Sequence, residues 1–241
     1  MLLFGLVAAA VLIPTAVLAQ DISVNFGDNT TLTQRAVQLV GLITVLALAP
    51  SILVMVTSFT RIVVVLSLLR TAIGLQTAPP NSVMISLALF LTFFIMQPTL
   101  QASYDQGVAP LLAGQIQIQE AFDKGSAPLH DFMAANVRQQ DVQLFYDMSS
   151  EPPPADAKAI PLKILVPAFM ISELRRAFEI GFLLFLPFVI IDMVVASVLM
   201  SMGMMMLPPV VISLPFKLIF FVLVDGWHLV AGSLIRSFVS G

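Results

Sequence analysis

Four long apolar runs constrain what this chain can fold into. They cover Ala36 to Val56, Ser82 to Met96, Phe182 to Leu199 and Val210 to Val224. A run of about 20 apolar residues can cross the hydrocarbon of a bilayer as a helix, because a helix satisfies its own backbone hydrogen bonds there. Charged residues make up 10% of the chain, against about 25% in soluble proteins. The sequence therefore predicts an all-α, polytopic membrane-type protein built from kinked apolar helical hairpins.

Two of these runs carry a charge near their centre, Asp192 in the third and Lys217 in the fourth. A lone charge at mid-bilayer costs about 3 kcal/mol, so such charges normally face protein or water and have a partner. The second and fourth runs are also short, since about fifteen helical residues measure roughly 22 Å against a hydrocarbon core of about 30 Å. We therefore predict helices covered by other subunits of an oligomer. A proton relay through Glu173 and Asp192 is the functional alternative to structural pairing.

A charged helix precedes the third run, from Pro167 to Gly181. The i,i+3 spacing pairs Glu173 with Arg176, and the i,i+4 spacing pairs Arg175 with Glu179. Across helices, we predict that Glu173 pairs with Lys217, either within one chain or between neighbouring copies. The charges of this helix are thus expected to form inter-helix or inter-subunit contacts.

The connection between the third and fourth runs is rich in methionine. Five of the chain's thirteen methionines fall between Met200 and Pro209, a segment that we term the methionine turn. Glycine and proline favour a chain reversal, so this segment is predicted to be the tip of a hairpin. Methionine side chains are long, unbranched and polarizable, and they pack against changing shapes. The turn is therefore a candidate seal around something that moves, with a lipid-compatible turn of no further role as the alternative.

The chain divides into four predicted regions. Residues 1–19 are apolar and end in Val17-Leu18-Ala19, a small-residue pattern typical of signal-peptide cleavage. No Lys or Arg precedes the apolar core, so a retained first span is the alternative. An N-terminal helical hairpin region (20–98) follows, then a small helical domain (99–163) and a C-terminal helical hairpin with the methionine turn (164–241). Glu151 to Asp156 is predicted to be an extended linker.

The charge pattern predicts how the chain is oriented in the membrane. The segment from Ser58 to Pro80 contains Arg61 and Arg70 and no acidic residue, which marks a cytoplasmic connection under the positive-inside rule. The small helical domain then lies in the periplasm. Its eight acidic residues are spread along the segment, so a solvated surface is the favoured interpretation over a catalytic acid pair.

Several function classes are disfavoured by composition. The chain has no cysteine, two histidines without metal-ligand spacing, and a net charge of −3. Thiolate sites and nucleic-acid binding are therefore not expected, and neither a metal nor a cofactor is predicted. An intramembrane enzyme would need a nucleophile with a base in reach, which the spacing does not provide. A small-solute or metal transporter that uses clustered thioethers is a further alternative.

Three long motifs resemble the FliP family of type III protein export. They are PAFMISELRRAFEIGF (Pro167 to Phe182), PFKLIFFVLVDGW (Pro215 to Trp227) and the stretch from Ser58 to Pro98. The resemblance covers nearly all of the chain after Gln34 and departs most between Ala102 and Lys163.

This resemblance implies a non-enzymatic channel subunit. Members of the family assemble as five copies with FliQ and FliR homologues into a helical export gate, with FlhA and FlhB homologues nearby. Unfolded flagellar axial proteins pass through the centre of the gate, at the flagellar basal body. The family's methionine gasket maps onto Met204, Met205 and Met206. The leader and the periplasmic domain resemble the flagellar branch more than the related subunit of virulence injectisomes, which is the alternative.

Overall fold

The structure is a computed structural model that describes residues 32–149, 154, 159–204 and 206–239. The predicted signal peptide (1–19), most of the predicted linker and Met205 lie outside the described residues. The chain divides into two units, and the division falls between Ala47 and Leu48.

Helix α1 spans Leu32–Met55, in agreement with the first apolar run. Within the first unit, the described residues 32–47 are helical throughout. Val37, Val40 and Ile43 on this part of the helix are exposed. At the other end, in the second unit, the chain turns at Thr57 and Ser58 before the next helix begins.

The remaining helices belong to the second unit. They are α2 (Phe59–Ile73), α3 (Asn81–Ser103), a π-helical turn (Tyr104–Val108), α4 (Ala109–Leu112), α5 (Ile118–Asn136), α6 (Gln139–Ser149), α7 (Leu162–Ser201), α8 (Pro209–Leu223) and α9 (Gly226–Val239). The described residues contain no strand. The prediction of an all-α fold is therefore confirmed for this part of the chain.

Two helical stretches are longer than the apolar runs predicted. Helix α3 continues through Pro98, so that Asn81–Leu112 forms a helical stretch of 32 residues, and α7 is a single helix of 40 residues. The prediction that the second run is short and ends at Met96 was therefore wrong. Proline removes one backbone hydrogen bond, and helices in apolar surroundings tolerate that loss when neighbouring helices pack around them.

These lengths bear on how the chain meets a membrane. Among the described residues, two helical stretches, Asn81–Leu112 and Leu162–Ser201, are long and apolar enough to cross a bilayer. Helices α8 and α9 meet at 62° and would make a third if the bent pair forms one span. The prediction of a polytopic membrane-type chain agrees with this count.

The larger core forms around one face of α2. Ile62, Val65, Leu66, Leu69 and Ile73 recur at helical spacing and are buried. Side chains of α3, α7, α8 and α9 pack against this face. Helix α2 is thus the central helix of the second unit, and both of its ends are available to interact with the charged residues of α7 and α8.

The smaller core joins the polar middle segment to α7. Met133 of α5 and Tyr146 of α6 pack with Leu165 and Phe169 of α7. The His130 ring also contacts the Ile160 carbonyl oxygen through Nε2, at 2.8 Å. Residues from the predicted domain 99–163 therefore share their hydrophobic core with the start of the C-terminal region.

Two glycines bring the π-helical turn against α5. A Cβ atom added at Gly107 would lie 2.7 Å from the Ala121 carbonyl oxygen and 2.7 Å from the Gly125 Cα. Both neighbours are backbone atoms, which cannot move aside as a side chain would. The close approach of the two backbones therefore requires glycine at position 107.

We expect Gly107→Ala to lower the free energy of unfolding by about 1–3 kcal/mol, the usual cost of forcing extra volume into a packed site. Gly125→Ala is the matched control on the opposite side, because its Cβ would meet Gly107 at 3.5 Å, an ordinary contact. Alanine in a helix is favoured over glycine by about 1 kcal/mol, so the control should not lose stability. Equal losses from both substitutions, measured by denaturant unfolding in detergent, would contradict this account.

Candidate functional site

A buried ion pair joins the start of α2 to the first half of α7. Arg61 donates from Nε to Glu173 Oε2 at 2.9 Å and from Nη2 to Glu173 Oε1. The two side chains are 1% and 0% exposed. Two parallel hydrogen bonds between guanidinium and carboxylate give the pair a fixed geometry. Removing either partner would leave the other as an uncompensated buried charge.

Arg61 also holds the end of the C-terminal helix. Its Nη1 donates to the carbonyl oxygen of Ser237 at 3.1 Å and to the Ser237 hydroxyl at 2.9 Å. The guanidinium lies 3.6 Å from the centre of the Phe238 ring, a cation–π contact. The Phe132 ring of α5 stacks on Phe238 at 6.0 Å. One side chain thus connects α2, α7 and α9, and Phe238 extends the contact to α5.

A second ion pair lies between α7 and α8. Lys217 Nζ donates to Asp192 Oδ2 at 2.7 Å, and Ser213 donates its hydroxyl to Asp192 Oδ1. Lys217 also lies 3.4 Å from the Ala72 carbonyl oxygen, near the C-terminal end of α2. That end carries unsatisfied carbonyls and a partial negative charge, which favours a cation. The lysine side chain is 4% exposed and the aspartate side chain 29%.

The predicted pairing of Glu173 with Lys217 was wrong within this chain, because each has another partner. Glu173 and Asp192 are about 28 Å apart along the axis of α7, at 1.5 Å per residue. Lys217 lies at the level of Asp192, and Glu173 lies at the opposite end of α2. Glu173 and Asp192, the two carboxylates of the proton-relay alternative, each form an ion pair with a basic side chain in this structure.

Two ion pairs were predicted within α7, and the structure treats them differently. The predicted Arg175–Glu179 pair is confirmed at 3.0 Å, with side chains 57% and 60% exposed. Exposed pairs of this kind contribute a few tenths of a kcal/mol. The positive charge of Arg176 acts on Glu173 from the same helix, but the hydrogen bonds to that carboxylate come from Arg61.

The role of Arg61 was not predicted from the sequence, where it counted only as a positive charge of a cytoplasmic connection. The side chain is buried in the first ion pair, whereas Arg70 is partly exposed and donates to Asn81 Oδ1 at 2.6 Å. Arg61 and Glu173 are 112 positions apart in sequence, so no local spacing signals their pairing. The signal available was the location of Arg61 directly before the apolar stretch Ile62 to Leu66, with no acidic residue nearby in sequence.

A polar contact that attaches α6 to α7 was also missed. The Ser172 hydroxyl, next to Glu173, lies 2.6 Å from Asp141 Oδ2. The backbone N–H of Arg138 donates to the same hydroxyl oxygen at 3.0 Å. The two contacts fix the start of α6 beside the first ion pair.

The methionine turn connects α7 to α8. Helix α7 ends at Ser201, and Gly203 adopts a left-handed backbone conformation with φ of 74° before α8 begins at Pro209. Met206 is 98% exposed, Met202 65% and Met204 40%. The predicted hairpin is therefore present, and its tip projects thioether side chains away from the protein.

An apolar cavity of about 460 Å³ lies beside the turn. Six aliphatic side chains of α7 between Ile190 and Leu199 line it, together with Ile212 and Phe216 of α8. Among the described residues, no group of three or more His, Cys, Asp or Glu side chains could hold a metal ion. The cavity lining is apolar, and together with the exposed thioethers of the turn it suits packing against another apolar surface.

Comparison with known proteins identifies the family. The FliP family model matches residues 42–234, which include both ion pairs and the methionine turn. The chain belongs to the FliP family.

Curated relatives of this FliP-family chain share the same description. It is 62% identical to the flagellar biosynthetic protein FliP of Caulobacter vibrioides, over 97% of this chain and 88% of the relative. It is 55% identical to the protein of that name from Bacillus subtilis, over 84% of this chain and 91% of the relative. The FliP protein of Borreliella burgdorferi is 47% identical over 85% of this chain. Sequence similarity thus extends over most of the chain.

Proposed function

We propose that this chain is a core, pore-forming subunit of the flagellar type III protein export gate in the bacterial inner membrane. Unfolded axial proteins of the flagellum pass through the pore, and the methionine turn seals it at rest. Membership of the FliP family supports the export role, and the names of the relatives favour the flagellum over a virulence injectisome.

The methionine turn is the observation that carries the sealing role. Its side chains project from the end of a two-helix hairpin, and Met206 is almost fully exposed in the single chain. The described methionines of the turn are exposed and do not pack into the core of the single chain. Large exposed apolar groups of this kind indicate an interaction surface. When several copies surround one axis, the turns meet and close the opening. Flexible methionines then yield as a polypeptide of irregular width enters.

Assembly with other subunits accounts for the remaining apolar surface. Phe90, Phe93 and Phe94 on α3 are more than half exposed, as are Phe178 and Phe182 on α7. We propose five copies in a helical arrangement with FliQ and FliR homologues, and with FlhA and FlhB homologues nearby. The segment 99–163 faces the periplasm in this arrangement. Contacts between copies and with lipid cover the exposed aromatic side chains.

The decisive experiment replaces Met204, Met205 and Met206 together by alanine. We expect the complex to assemble and the resting membrane to become several-fold more permeable to small ions, because alanine is too short to fill the gap between copies. Ion flux into inverted vesicles or the membrane potential of whole cells measures the effect.

A matched control replaces Met148 and Met193 by alanine. These side chains are 74% and 64% exposed and lie outside the methionine turn, on α6 and α7, so the membrane should stay tight. An ion-tight triple variant in an assembled complex would rule out the seal. Loss of swimming on deletion of the chain, restored by the intact protein, tests the flagellar role separately.

A further inference from the structure

Methionine provides all of the sulfur in this chain, because the sequence contains thirteen methionines and no cysteine. Peroxides react readily with thiolates and more slowly with thioethers, so a cysteine elsewhere in a chain often takes the oxidant first. Here no thiol protects the thioethers. The order in which they react then depends on how well the oxidant reaches each sulfur.

The methionines of the turn differ in exposure from three buried methionines of the same chain. Four side chains of the methionine turn are 40–98% exposed, namely Met200, Met202, Met204 and Met206. The side chains of Met84, Met96 and Met133 are buried in the packed protein and are 4%, 0% and 1% exposed. Buried groups of this kind react only when the structure opens locally. The three buried methionines thus serve as a reference for the oxidation rate of the exposed methionines in the same chain.

We propose that the methionine turn is an oxidation site, at which hydrogen peroxide converts the thioethers to sulfoxides and thereby loosens the resting seal. This inference rests on the proposed function of the turn. In the reaction, a sulfur lone pair attacks one peroxide oxygen and the O–O bond breaks. An S=O bond forms, and the second oxygen leaves as water after proton transfer. Sulfur is oxidised by two electrons and the peroxide is reduced by two.

The change in polarity explains the effect on the seal. A thioether packs as an apolar group, whereas a sulfoxide has a strong acceptor oxygen that needs a hydrogen-bond donor. The side chains that line the neighbouring cavity are apolar, and the Ser201 hydroxyl in the turn already donates to the Val198 carbonyl oxygen. The sulfoxide oxygen is therefore satisfied by water, which enters the gap between copies.

Hydrogen peroxide can reach the turn in the assembled gate. It is uncharged and close to water in size, so it enters wherever the pore is wet on either side of the seal. Every copy contributes the same turn, so one round of oxidation places several new polar groups around a single opening. Methionine sulfoxide reductases reverse the modification, so the site can return to its apolar state.

The test treats the purified, reconstituted complex with hydrogen peroxide and follows sulfoxide formation at each methionine by peptide mass spectrometry. We expect the turn to be oxidised at least about ten-fold faster than Met84, Met96 and Met133, since those require local opening. Ion leak should rise with the sulfoxide content of the turn and fall again after treatment with methionine sulfoxide reductases. Equal rates at the turn and at the buried methionines would overturn the proposal.

A second variant separates oxidation of the turn from damage elsewhere. It replaces the five methionines of the turn by leucine, which peroxide does not oxidise, and its leak is compared with and without peroxide. We expect no response to peroxide, whatever the starting leak. A response equal to that of the unmodified complex would place the damage outside the turn and overturn the inference.

The alanine triple variant distinguishes failure of this inference from failure of the proposed function. If that variant leaks but the oxidised turn stays tight, the turn is a seal that tolerates sulfoxides, and only the oxidation proposal fails. If the alanine variant and the oxidised complex are both tight, the turn is not a seal and both proposals fail.

Discussion

Replacing Arg61 by alanine is expected to lower the free energy of unfolding by about 3–5 kcal/mol, because it leaves the Glu173 carboxylate buried and unpaired. Glu173 has no exposed surface in the folded chain, so water cannot take the place of the guanidinium. The substitution also removes the hydrogen bonds to Ser237 and the contact with Phe238. Thermal or denaturant unfolding of the purified chain in detergent measures the loss.

The exposed pair on α7 supplies the control for this prediction. Arg175→Ala removes an arginine from a carboxylate on the same helix, but that pair is more than half exposed. We expect a loss of at most about 0.5 kcal/mol, typical of a surface ion pair. If Arg61→Ala cost no more than this control, the buried pair would not support the fold.

A conservative substitution tests which property of Arg61 matters. Lysine keeps the positive charge but cannot bind both carboxylate oxygens of Glu173 and also donate to Ser237 in a planar fork. We therefore expect Arg61→Lys to lose part of the stability and to free the end of α9. Hydrogen exchange of the backbone amides around Ser237 and Phe238 would report the second effect.

The placement of the two ion pairs follows from the packing of α2. Its apolar face lies against α7 with Arg61 at one end and Ala72 at the other, and Leu68 between them approaches Gly181. A Cβ atom at Gly181 would lie 2.3 Å from Leu68 Cδ1, so the two helices run close together. The first ion pair thus joins α2 to α7 at one end, and at the other end Lys217 of α8 contacts both Asp192 of α7 and the Ala72 carbonyl oxygen of α2.

The sequence predicted which regions are helical better than it predicted the residues at which the helices begin and end. Apolar periodicity identified the helical regions, but the second run was predicted to end at Met96, whereas α3 continues through Pro98 to Ser103. The charged helix and the third run were predicted separately and form the single helix α7. Proline marks a boundary when water competes for the freed carbonyl. In apolar surroundings, ending the helix would leave more backbone groups without hydrogen-bond partners, so the helix continues through the proline.

In the candidate site, contacts within one helix could be predicted from the sequence, whereas contacts between helices could not. The Arg175–Glu179 pair was predictable because its spacing on one helix determines the geometry. The partners of Glu173 and Lys217 were not predictable, since they depend on how α2 packs against α7 and α8. A rule based on buried charge correctly indicated that partners exist, but it could not choose among the available arginines, lysines and aspartates.

For the second ion pair, we expect Asp192→Ala to cost more stability than Lys217→Ala. Removal of the aspartate leaves the ammonium group of Lys217 almost fully buried, whereas removal of the lysine leaves a carboxylate that is 29% exposed and still bonded to Ser213. Losses of roughly 3 and 1–2 kcal/mol follow from these different residual charges. Equal losses in detergent unfolding would contradict the asymmetry of burial.

Double substitutions then decide between pairing within a chain and pairing between copies. The two ion pairs lie about 28 Å apart along α7, and sites at such distances contribute independently to stability. We therefore expect the losses from Glu173→Ala and Lys217→Ala to add in the isolated chain, whereas the losses from Asp192→Ala and Lys217→Ala should not. Non-additive losses for Glu173 and Lys217 that appear only in the assembled oligomer would mean that the two charges meet between neighbouring copies. In that case, Glu173 and Lys217 would leave Arg61 and Asp192, their partners in the single chain, and pair with each other on assembly.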